Sequence, residues 1–366
     1  MAIMKKKNQS DSRIDLLRNT IDEIDDKILD LINQRLEHAK EIGKIKKQRG
    51  EQIIDGSRES EILNRLAALN KGPIRNTSLQ HIFNDIIAES RQLQKTQVVT
   101  YLGPEATFTH IASMNHFGHS VTMIPQPSIR DVFNEVEKGV CNYGVVPVEN
   151  SIEGAVNHTL DLFIESDLKI CAERYLAISH DLLSTTDTLK DIRQVYSHPQ
   201  AFAQCRGWLR KYLPEAELNE CGSTSLAAQT ALERPGTAAI ASSEAAHIYN
   251  LKVVASKIED FARNVTRFLV IGKDETHKTA KDRTSIIFVT SHIPGALFKV
   301  LEPISKAGVN MLKLESRPSK QENWNYSFFV DLEGHLEDPV IDETISKMKE
   351  ICLFLKCLGS YPMAES

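Results

Sequence analysis

Two cationic residues interrupt an apolar helical face near the start of the chain. From Ile14 to Ile45 apolar residues recur every three or four positions, and Arg35 falls where another is due. Lys46 lies about three helical turns further on and therefore on nearly the same face. A buried guanidinium is costly unless an anion or a set of hydrogen bonds meets it. The spacing therefore predicts that either an anionic group or a set of hydrogen bonds meets Arg35 on this helix.

Two hydrogen-bonding side chains lie on the core-facing stripe of a later predicted helix. Ile82 and Ile86 belong to this stripe, and Ser90 and Gln94 continue it at positions i and i+4. Hydroxyl and amide groups can bind a polar ligand as well as the protein itself. We therefore expect the two side chains to meet polar partners in the interior.

A further polar set, Asp55, Arg58 and Glu59, shares a face at the start of the second predicted helix. These residues also have structural interpretations. Arg35 could pair with Glu59. Ser90 could bond to its own helix, and Asp55 could cap the second helix. The convergence of polar side chains from three helices favours a substrate site over these separate roles.

Residues 11–95 resemble the all-helical chorismate mutases, whose polar positions they match in order. The resemblance implies that Arg35 and, across a dimer, Arg18 hold substrate carboxylates, and that Lys46 and Gln94 donate to the ether oxygen. The rest of the implied pocket is formed by Asp55, Arg58, Glu59 and Ser90. Because the rearrangement is pericyclic, catalysis means holding a compact conformer and stabilising charge on the breaking C–O bond.

Five ordered motifs lie in residues 97–272, where short strands alternate with helices. They read Leu-Gly-Pro-Glu at 102–105, Val-Pro-Val-Glu-Asn-Ser at 146–151, Ser-His-Pro-Gln at 197–200, Ser-Thr-Ser at 223–225 and Asn-Val-Thr-Arg-Phe at 264–268. This region resembles prephenate dehydratase, which implies two α/β lobes with the site in the cleft between them. Ala106 departs from the glycine usual in that family. A dehydrogenase is disfavoured, because the chain contains no G-x-G dinucleotide motif.

Thr266 is the residue on which, by this resemblance, dehydration depends. Its hydroxyl could protonate, orient or only hydrogen-bond the leaving oxygen. Structural interpretations also exist, such as β-propensity for Thr266, turn chemistry for His198 and a helix cap for 149–151. The other implied substrate-binding residues are Glu149, Asn150, Ser151, His198, Gln200, Ser225, Arg267 and Phe268.

The last part of the chain, residues 284–360, has a βαββαβ order and resembles an ACT domain. Its two motifs are Gly-Ala-Leu-Phe at 295–298, opening a predicted helix, and Glu-Ser-Arg-Pro at 315–318, ending a predicted strand. They could instead be an ordinary helix start and a surface ion pair. The resemblance implies a phenylalanine site at a dimer interface, formed by Gly295, Ala296, Leu297, Glu315, Ser316, Arg317 and Pro318.

The periodicity predicts a multidomain protein. We expect an all-α N-terminal domain (11–96), a two-lobed α/β domain (97–272), a charged linker (273–283) and an α+β ferredoxin-like domain (284–361). The first helix would span 11–49, too long for the two shorter helices at 62–69 and 76–93 to cover. Its exposed apolar stripe predicts a homodimer, with Arg18 directed towards the partner copy.

The composition narrows the function classes further. The net charge of −5 gives no general affinity for nucleic acid or an anionic membrane. No apolar run approaches ~18 residues, which predicts a cytoplasmic protein. The six cysteines form no CxxC pair and no HExxH occurs, so we expect neither a metal nor a cofactor.

Taken together, the three resemblances imply an enzyme of L-phenylalanine biosynthesis with two sites. Its substrates would be chorismate and prephenate, its product phenylpyruvate, and its allosteric inhibitor L-phenylalanine. The alternative is a non-enzymatic, amino-acid-sensing two-lobed binding protein with a helical dimerisation domain. That alternative leaves the polar residues of the first three helices unexplained.

Overall fold

The computed structural model describes residues 2–49, 56–94, 97–119, 121–261, 263–318 and 326–364. The chain divides into two compact units. One is drawn from residues 1–55 and 61–96, and the other from residues 56–60 and 97–366. No helix among the described residues is long and apolar enough to cross a membrane.

Three helices form the N-terminal region: α1 (Ala2–Arg49), α2 (Gly56–Leu69) and α3 (Asn76–Gln94). Helix α1 packs against α3, and Ala39 of α1 and Ile87 and Ala88 of α3 are buried. The predicted apolar stripe of α1 lies exposed, with side chains 47% to 62% accessible. Before Arg35 it consists of Ile14, Leu17, Ile21, Ile24, Ile28 and Leu31, and after Arg35 of Ile42 and Ile45.

The α/β region forms two lobes. The elements of the first lobe, in chain order, are β1 (Val98–Leu102), α4 (Phe108–Phe117), β2 (Thr122–Gln126), α5 (Ile129–Glu137), β3 (Tyr143–Asn150), β4 (Gly154–Ala155), α6 (Asn157–Glu165) and β5 (Lys169–Ala177). Those of the second lobe are β6 (Asp181–Ser184), β7 (Gln194–Ser197), α7 (Pro199–Gln204), α8 (Arg206–Tyr212), β8 (Glu217–Glu220), α9 (Thr224–Glu233), β9 (Thr237–Ala241), α10 (Ser243–Ile248) and β10 (Lys252–Ala255).

The chain returns to the first lobe through β11 (Val265–Gly272), which completes a sheet of order β2-β1-β3-β11-β5 with β4 beside β3. Strand β11 runs antiparallel to both β3 and β5. The second sheet has the order β10-β6-β9-β7-β8. The lobes are therefore joined by two chain crossings, one between β5 and β6 and the other between β10 and β11.

The C-terminal elements are β12 (Asp282–Thr290), α11 (Ala296–Lys306), β13 (Met311–Pro318), β14 (Tyr326–Glu333), α12 (Pro339–Ile351) and β15 (Phe354–Pro362). Their sheet order β13-β14-β12-β15 with antiparallel pairing confirms the ferredoxin-like prediction. One face of this sheet packs on α11 and α12, and the other continues the apolar core of the first lobe. The three predicted fold classes are thereby confirmed.

Candidate active sites

The anomalous arginine of α1 meets the polar stripe of α3. The Arg35 guanidinium donates to Ser90 Oγ at 2.5 Å and to the carbonyl of Ile86 at 3.4 Å. Ser90 also donates to the Ile86 carbonyl at 2.7 Å, the back-bond expected of a helical serine. Burial lowers the pKa of Arg35, although a guanidinium stays charged at any physiological pH. The structure thus holds a partly buried cation at the face where α1 and α3 meet.

Gln94 lies on the same side of α3, against α1. A Cβ added to Gly43 would stand 2.5 Å from Cγ of Gln94, so only glycine permits this approach. Gln94 Oε1 is buried and has no hydrogen-bond partner among the described residues. Lys46, three positions after Gly43 on α1, is half-buried. The predicted residues Arg35, Ser90, Gln94 and Lys46 therefore lie on the facing sides of two packed helices.

The remaining predicted mutase residues have varied positions. Arg18 on α1 is exposed and pairs with Asp15 at 3.5 Å. On α2, Arg58 is exposed and Glu59 is half-buried. Asp55 lies outside the described residues.

Thr266 and Asn150 lie opposite each other on the antiparallel strands β11 and β3. Asn150 Nδ2 donates to Thr266 Oγ1 at 2.8 Å and to Asn264 Oδ1 at 2.7 Å. Asn150 Oδ1 accepts from the backbone N–H groups of Ile152 and Glu153 at 2.9 and 3.1 Å. The predicted residues Thr266 and Asn150 thus form one hydrogen-bonded unit.

This unit continues into the second lobe through residues that sequence reasoning missed. Asn264 Nδ2 donates to Gln204 Oε1 at 2.9 Å, and the same oxygen lies 2.9 Å from Nε2 of His180. His180 and Asn264 stand in the two crossings between the lobes, and Gln204 ends α7. Both His180 and Asn264 are buried. Only the motif at 264–268 offered a sequence signal, because His180 and Gln204 lie outside all five motifs.

The other motif residues line the same lobe boundary. Ser151 Oγ donates to the carbonyl of Arg263 and accepts from the N–H of Val265. Gln200 of the second lobe donates to the Glu153 carboxylate of the first lobe. His198 caps α7, with Nδ1 accepting from the Gln200 N–H at 3.3 Å. The structural alternative predicted for His198 was turn chemistry, and the structure shows a helix cap instead.

Ser225 belongs to a separate contact. Its hydroxyl donates to the carbonyl of Glu105 and lies 2.8 Å from the Tyr249 hydroxyl. Ala106 in the same loop has φ 65, a conformation that glycine adopts more easily. A cavity of about 280 Å³ opens beside this loop, with the carboxylates of Glu105 and Glu244 in its wall. His110 and His119 also line this cavity.

The side chains of Arg267 and Phe268, two of the predicted substrate-binding residues, are both buried. The Arg267 guanidinium is 2% exposed and contacts Glu173 at 2.8 Å and Asp331 at 2.6 Å. Phe268 packs in the apolar core of the first lobe. Successive strand residues face opposite sides, so Arg267 cannot share the orientation of Thr266. Arg267 instead joins the first lobe to β14 of the C-terminal domain.

Glu149 stands beside this junction. Its carboxylate pairs with Lys313 of β13 at 2.8 Å and lies 4.0 Å from the Arg267 guanidinium. The side chain is 38% exposed, whereas that of Lys313 is 11% exposed. A predicted substrate residue of the α/β region is therefore held by a lysine of the C-terminal sheet.

The predicted effector residues fall on two elements. Gly295 precedes α11 in the left-handed conformation, with φ 79, and is followed by buried Ala296 and half-buried Leu297. On β13, Arg317 pairs with Asp161 of α6 at 3.2 Å. Glu315 is half-buried and Ser316 exposed, while the side chain of Pro318 lies outside the described residues.

Three family models match the chain in order. They are chorismate mutase type II at residues 17–95, prephenate dehydratase at 99–276 and the ACT domain at 284–350. A bifunctional chorismate mutase/prephenate dehydratase of Aquifex aeolicus is 48% identical over 95% of this chain and 97% of its own length. A protein of the same name from Stutzerimonas stutzeri is 43% identical over the same shares.

A solved structure is similar to the second unit. Prephenate dehydratase from Arthrobacter aurescens, in complex with L-Phe, has 33% sequence identity and a TM-score of 0.68. The match covers 73% of this chain and 90% of that one.

Proposed function

This chain belongs to the family of bifunctional chorismate mutase/prephenate dehydratases, and from that membership we propose which residues perform each activity. It is an enzyme of L-phenylalanine biosynthesis that converts chorismate to prephenate and prephenate to phenylpyruvate. The near full-length match to bifunctional relatives carries this conclusion. The alternative of a non-enzymatic binding protein is not favoured.

For the mutase, we propose that Arg35 binds a carboxylate of chorismate, with Ser90 holding the guanidinium in place. Lys46 and Gln94 then donate to the ether oxygen as negative charge develops there. Two charge-assisted contacts of ~1.5–3 kcal/mol each, added to restriction of the conformer, account for a large part of the barrier reduction of ~8 kcal/mol needed for a 10⁶-fold acceleration. Arg58, Glu59 and Asp55 complete the proposed pocket.

We propose that a second copy of the chain covers the exposed stripe of α1. Six large apolar side chains in one row on a helix surface form a patch that soluble monomers rarely leave in water. In a twofold dimer, Arg18 would reach the site of the partner copy. Sedimentation equilibrium tests the dimer, and a monomer at micromolar concentration would contradict it.

For the dehydratase, we propose that Thr266 contacts the hydroxyl that leaves prephenate, with Glu149, Asn150, Ser151, His198, Gln200 and Ser225 around the pocket. In this reaction the bond to the ring carboxylate breaks and its electron pair enters the ring, releasing CO₂. The C–O bond breaks with its pair on oxygen, so hydroxide leaves and the ring becomes aromatic. A hydrogen bond to that oxygen stabilises its developing charge.

For regulation, we propose that the C-terminal domain binds L-phenylalanine through Gly295, Ala296, Leu297, Glu315, Ser316, Arg317 and Pro318. The helix start at Gly295 suits the carboxylate of an amino acid. Titration calorimetry with L-phenylalanine checks this, and no heat of binding would contradict it. We also propose a cytoplasmic location, where the six unpaired cysteines would stay reduced.

The decisive experiment supplies chorismate to the purified chain and measures prephenate and phenylpyruvate. We expect both to form in sequence. Formation of neither product would refute both assignments, and accumulation of prephenate alone would refute the dehydratase.

A further inference from the structure

We infer that Asn264, Gln204 and His180 are positioning residues that fix the hydrogen-bond direction at Thr266, leaving its O–H free to donate to the leaving oxygen. This inference rests on the proposed role of Thr266. It identifies three further residues for the reaction and assigns the hydroxyl one of the roles open to it.

Asn150 sets the donor-to-acceptor direction of this series of hydrogen bonds. Its Oδ1 accepts from two backbone N–H groups, those of Ile152 and Glu153. A flipped amide would place NH₂ against these two donors and lose both bonds. Asn150 must therefore present its NH₂ group to Thr266 and Asn264, as the distances of 2.8 and 2.7 Å show.

Each later orientation follows from the first. Because Asn150 donates, Asn264 must present Oδ1 to it, so its Nδ2 faces Gln204. Gln204 then presents Oε1, which accepts from Asn264 and lies 2.9 Å from Nε2 of His180. His180 must carry its proton on Nε2 to complete the chain. Burial lowers the pKa of His180, which agrees with a neutral imidazole.

These orientations determine which hydrogen bonds the Thr266 hydroxyl can accept and donate. Its Oγ1 accepts from Asn150, and no described residue accepts a hydrogen bond from its hydroxyl. A hydroxyl has one proton, so this proton remains available for a substrate oxygen. Accepting a bond also polarises the O–H and makes it a better donor. Thr266 need not lose the proton, since the oxygen leaves as hydroxide, which the buffer in the solvent neutralises.

Two isosteric substitutions of neighbouring residues give opposite expectations. Asn150→Asp turns the donor facing Thr266 into an acceptor, which captures the Thr266 proton. We expect kcat for dehydration to fall about 100-fold or more, with KM much less changed. Asn264→Asp keeps the acceptor that Asn150 needs, and Gln204 can flip to donate to it. Asn264→Asp should therefore recover most of the kcat lost in Asn264→Leu.

Comparing Asn150→Asp with Asn264→Asp separates the effect of hydrogen-bond direction from the effect of added negative charge. Equal loss in both aspartate variants would overturn the inference, because added charge alone would explain it. Full dehydration by Asn150→Asp would also overturn it. If circular dichroism shows that Asn150→Asp does not fold, the two Asn264 variants provide the test. Equal kcat in Asn264→Asp and Asn264→Leu would then refute the proposed hydrogen-bond chain.

A spectroscopic readout tests the chain without activity. Nitrogen-15 NMR of histidine-labelled protein, with the His180 signals assigned by loss in His180→Gln, should show the proton on Nε2. A proton on Nδ1 would overturn the deduced direction. If Thr266→Val still dehydrates prephenate, the proposed role of Thr266 fails, whereas the tautomer of His180 remains an independent result.

Discussion

At the scale of single residues, the most specific prediction for dehydration concerns the hydroxyl of Thr266. Thr266→Val keeps the shape and removes the oxygen, so we expect dehydration to fall about 100-fold or more while chorismate is still converted to prephenate. Thr266→Ser keeps the hydroxyl and loses the β-branch that stiffens χ1, so partial activity should remain. Product analysis by chromatography checks both, and phenylpyruvate formation by the valine variant near the wild-type rate contradicts the role.

The mutase offers a complementary test. Lys46→Ala and Gln94→Ala each remove a proposed donor to the ether oxygen, so mutase turnover should fall by about 10²–10³. Dehydration of supplied prephenate should stay near normal, because these residues belong to the helical unit. Near-wild-type mutase rates in both variants would eliminate the assignment.

Sequence reasoning reached some of these residues and missed others for a physical reason. Arg35 and Gln94 could be predicted because each is polar at a position where the helical spacing predicts an apolar residue. Thr266 could be predicted because it lies in a motif. Gln204 and His180 carry no such signal, since a polar residue at a helix end or in a loop is ordinary. Their role depends on tertiary contacts between two lobes.

At the scale of elements, the packing of α1 on α3 depends on one glycine. Gly43→Ala would place a methyl 2.5 Å from Cγ of Gln94, so either the helices separate or Gln94 moves. We expect mutase activity to fall at least tenfold and the helical unit to lose about 1–3 kcal/mol of stability. Mutase assays and denaturant melts measure the two effects.

Gly72→Ala is the matched control for this change. A Cβ at Gly72 would meet only the Asn70 Oδ1 at 3.9 Å, an ordinary contact. This variant should keep wild-type mutase activity. Equal activity in the two alanine variants would show that the close approach at Gly43 has no bearing on the site.

Elements were predictable where the hydrophobic period was clean. The third helix, predicted at 76–93, spans Asn76–Gln94. The predicted linker 273–283 instead ends inside β12, which begins at Asp282. The charged residues in this stretch predicted a solvated linker. Arg283 is instead buried and pairs with Glu173 at 3.0 Å and Asp331 at 3.3 Å. Charge pattern alone cannot distinguish a solvated linker from a buried ion network.

At the scale of the whole molecule, the C-terminal domain is continuous with the dehydratase. The other face of its sheet shares one apolar core with the first lobe, including Ile287, Phe329 and Leu358 beside Leu269. Gly359 of β15 also approaches the Ile170 backbone so closely that any Cβ would collide with it. A chain ending at Lys281 would expose this core, so we expect it to lose dehydration as well as regulation.

A buried ion network lies at this junction, directly behind the strand that carries Thr266. Arg267 and Arg283 are balanced there by Glu173 and Asp331. Burial opposes the charge of Arg267, but the nearby Tyr361 and the two carboxylates raise its pKa above the ordinary value. Two of its ion pairs, Arg267 with Asp331 and Arg283 with Glu173, cross between the two domains.

Asp331→Asn tests whether this network unites the two domains. The change keeps the side-chain shape but leaves the two buried guanidinium groups sharing one buried carboxylate, that of Glu173, which should cost about 3–5 kcal/mol. We expect the dehydratase and the C-terminal domain to unfold together at a lower denaturant concentration than in the wild type. Mutase activity should survive at denaturant concentrations below that transition. Asp342→Asn, at an exposed site on α12, is the control and should cost less than about 1 kcal/mol. Separate transitions for dehydration and for L-phenylalanine binding would contradict the claim, because the ion network and shared core require the two domains to be lost as one.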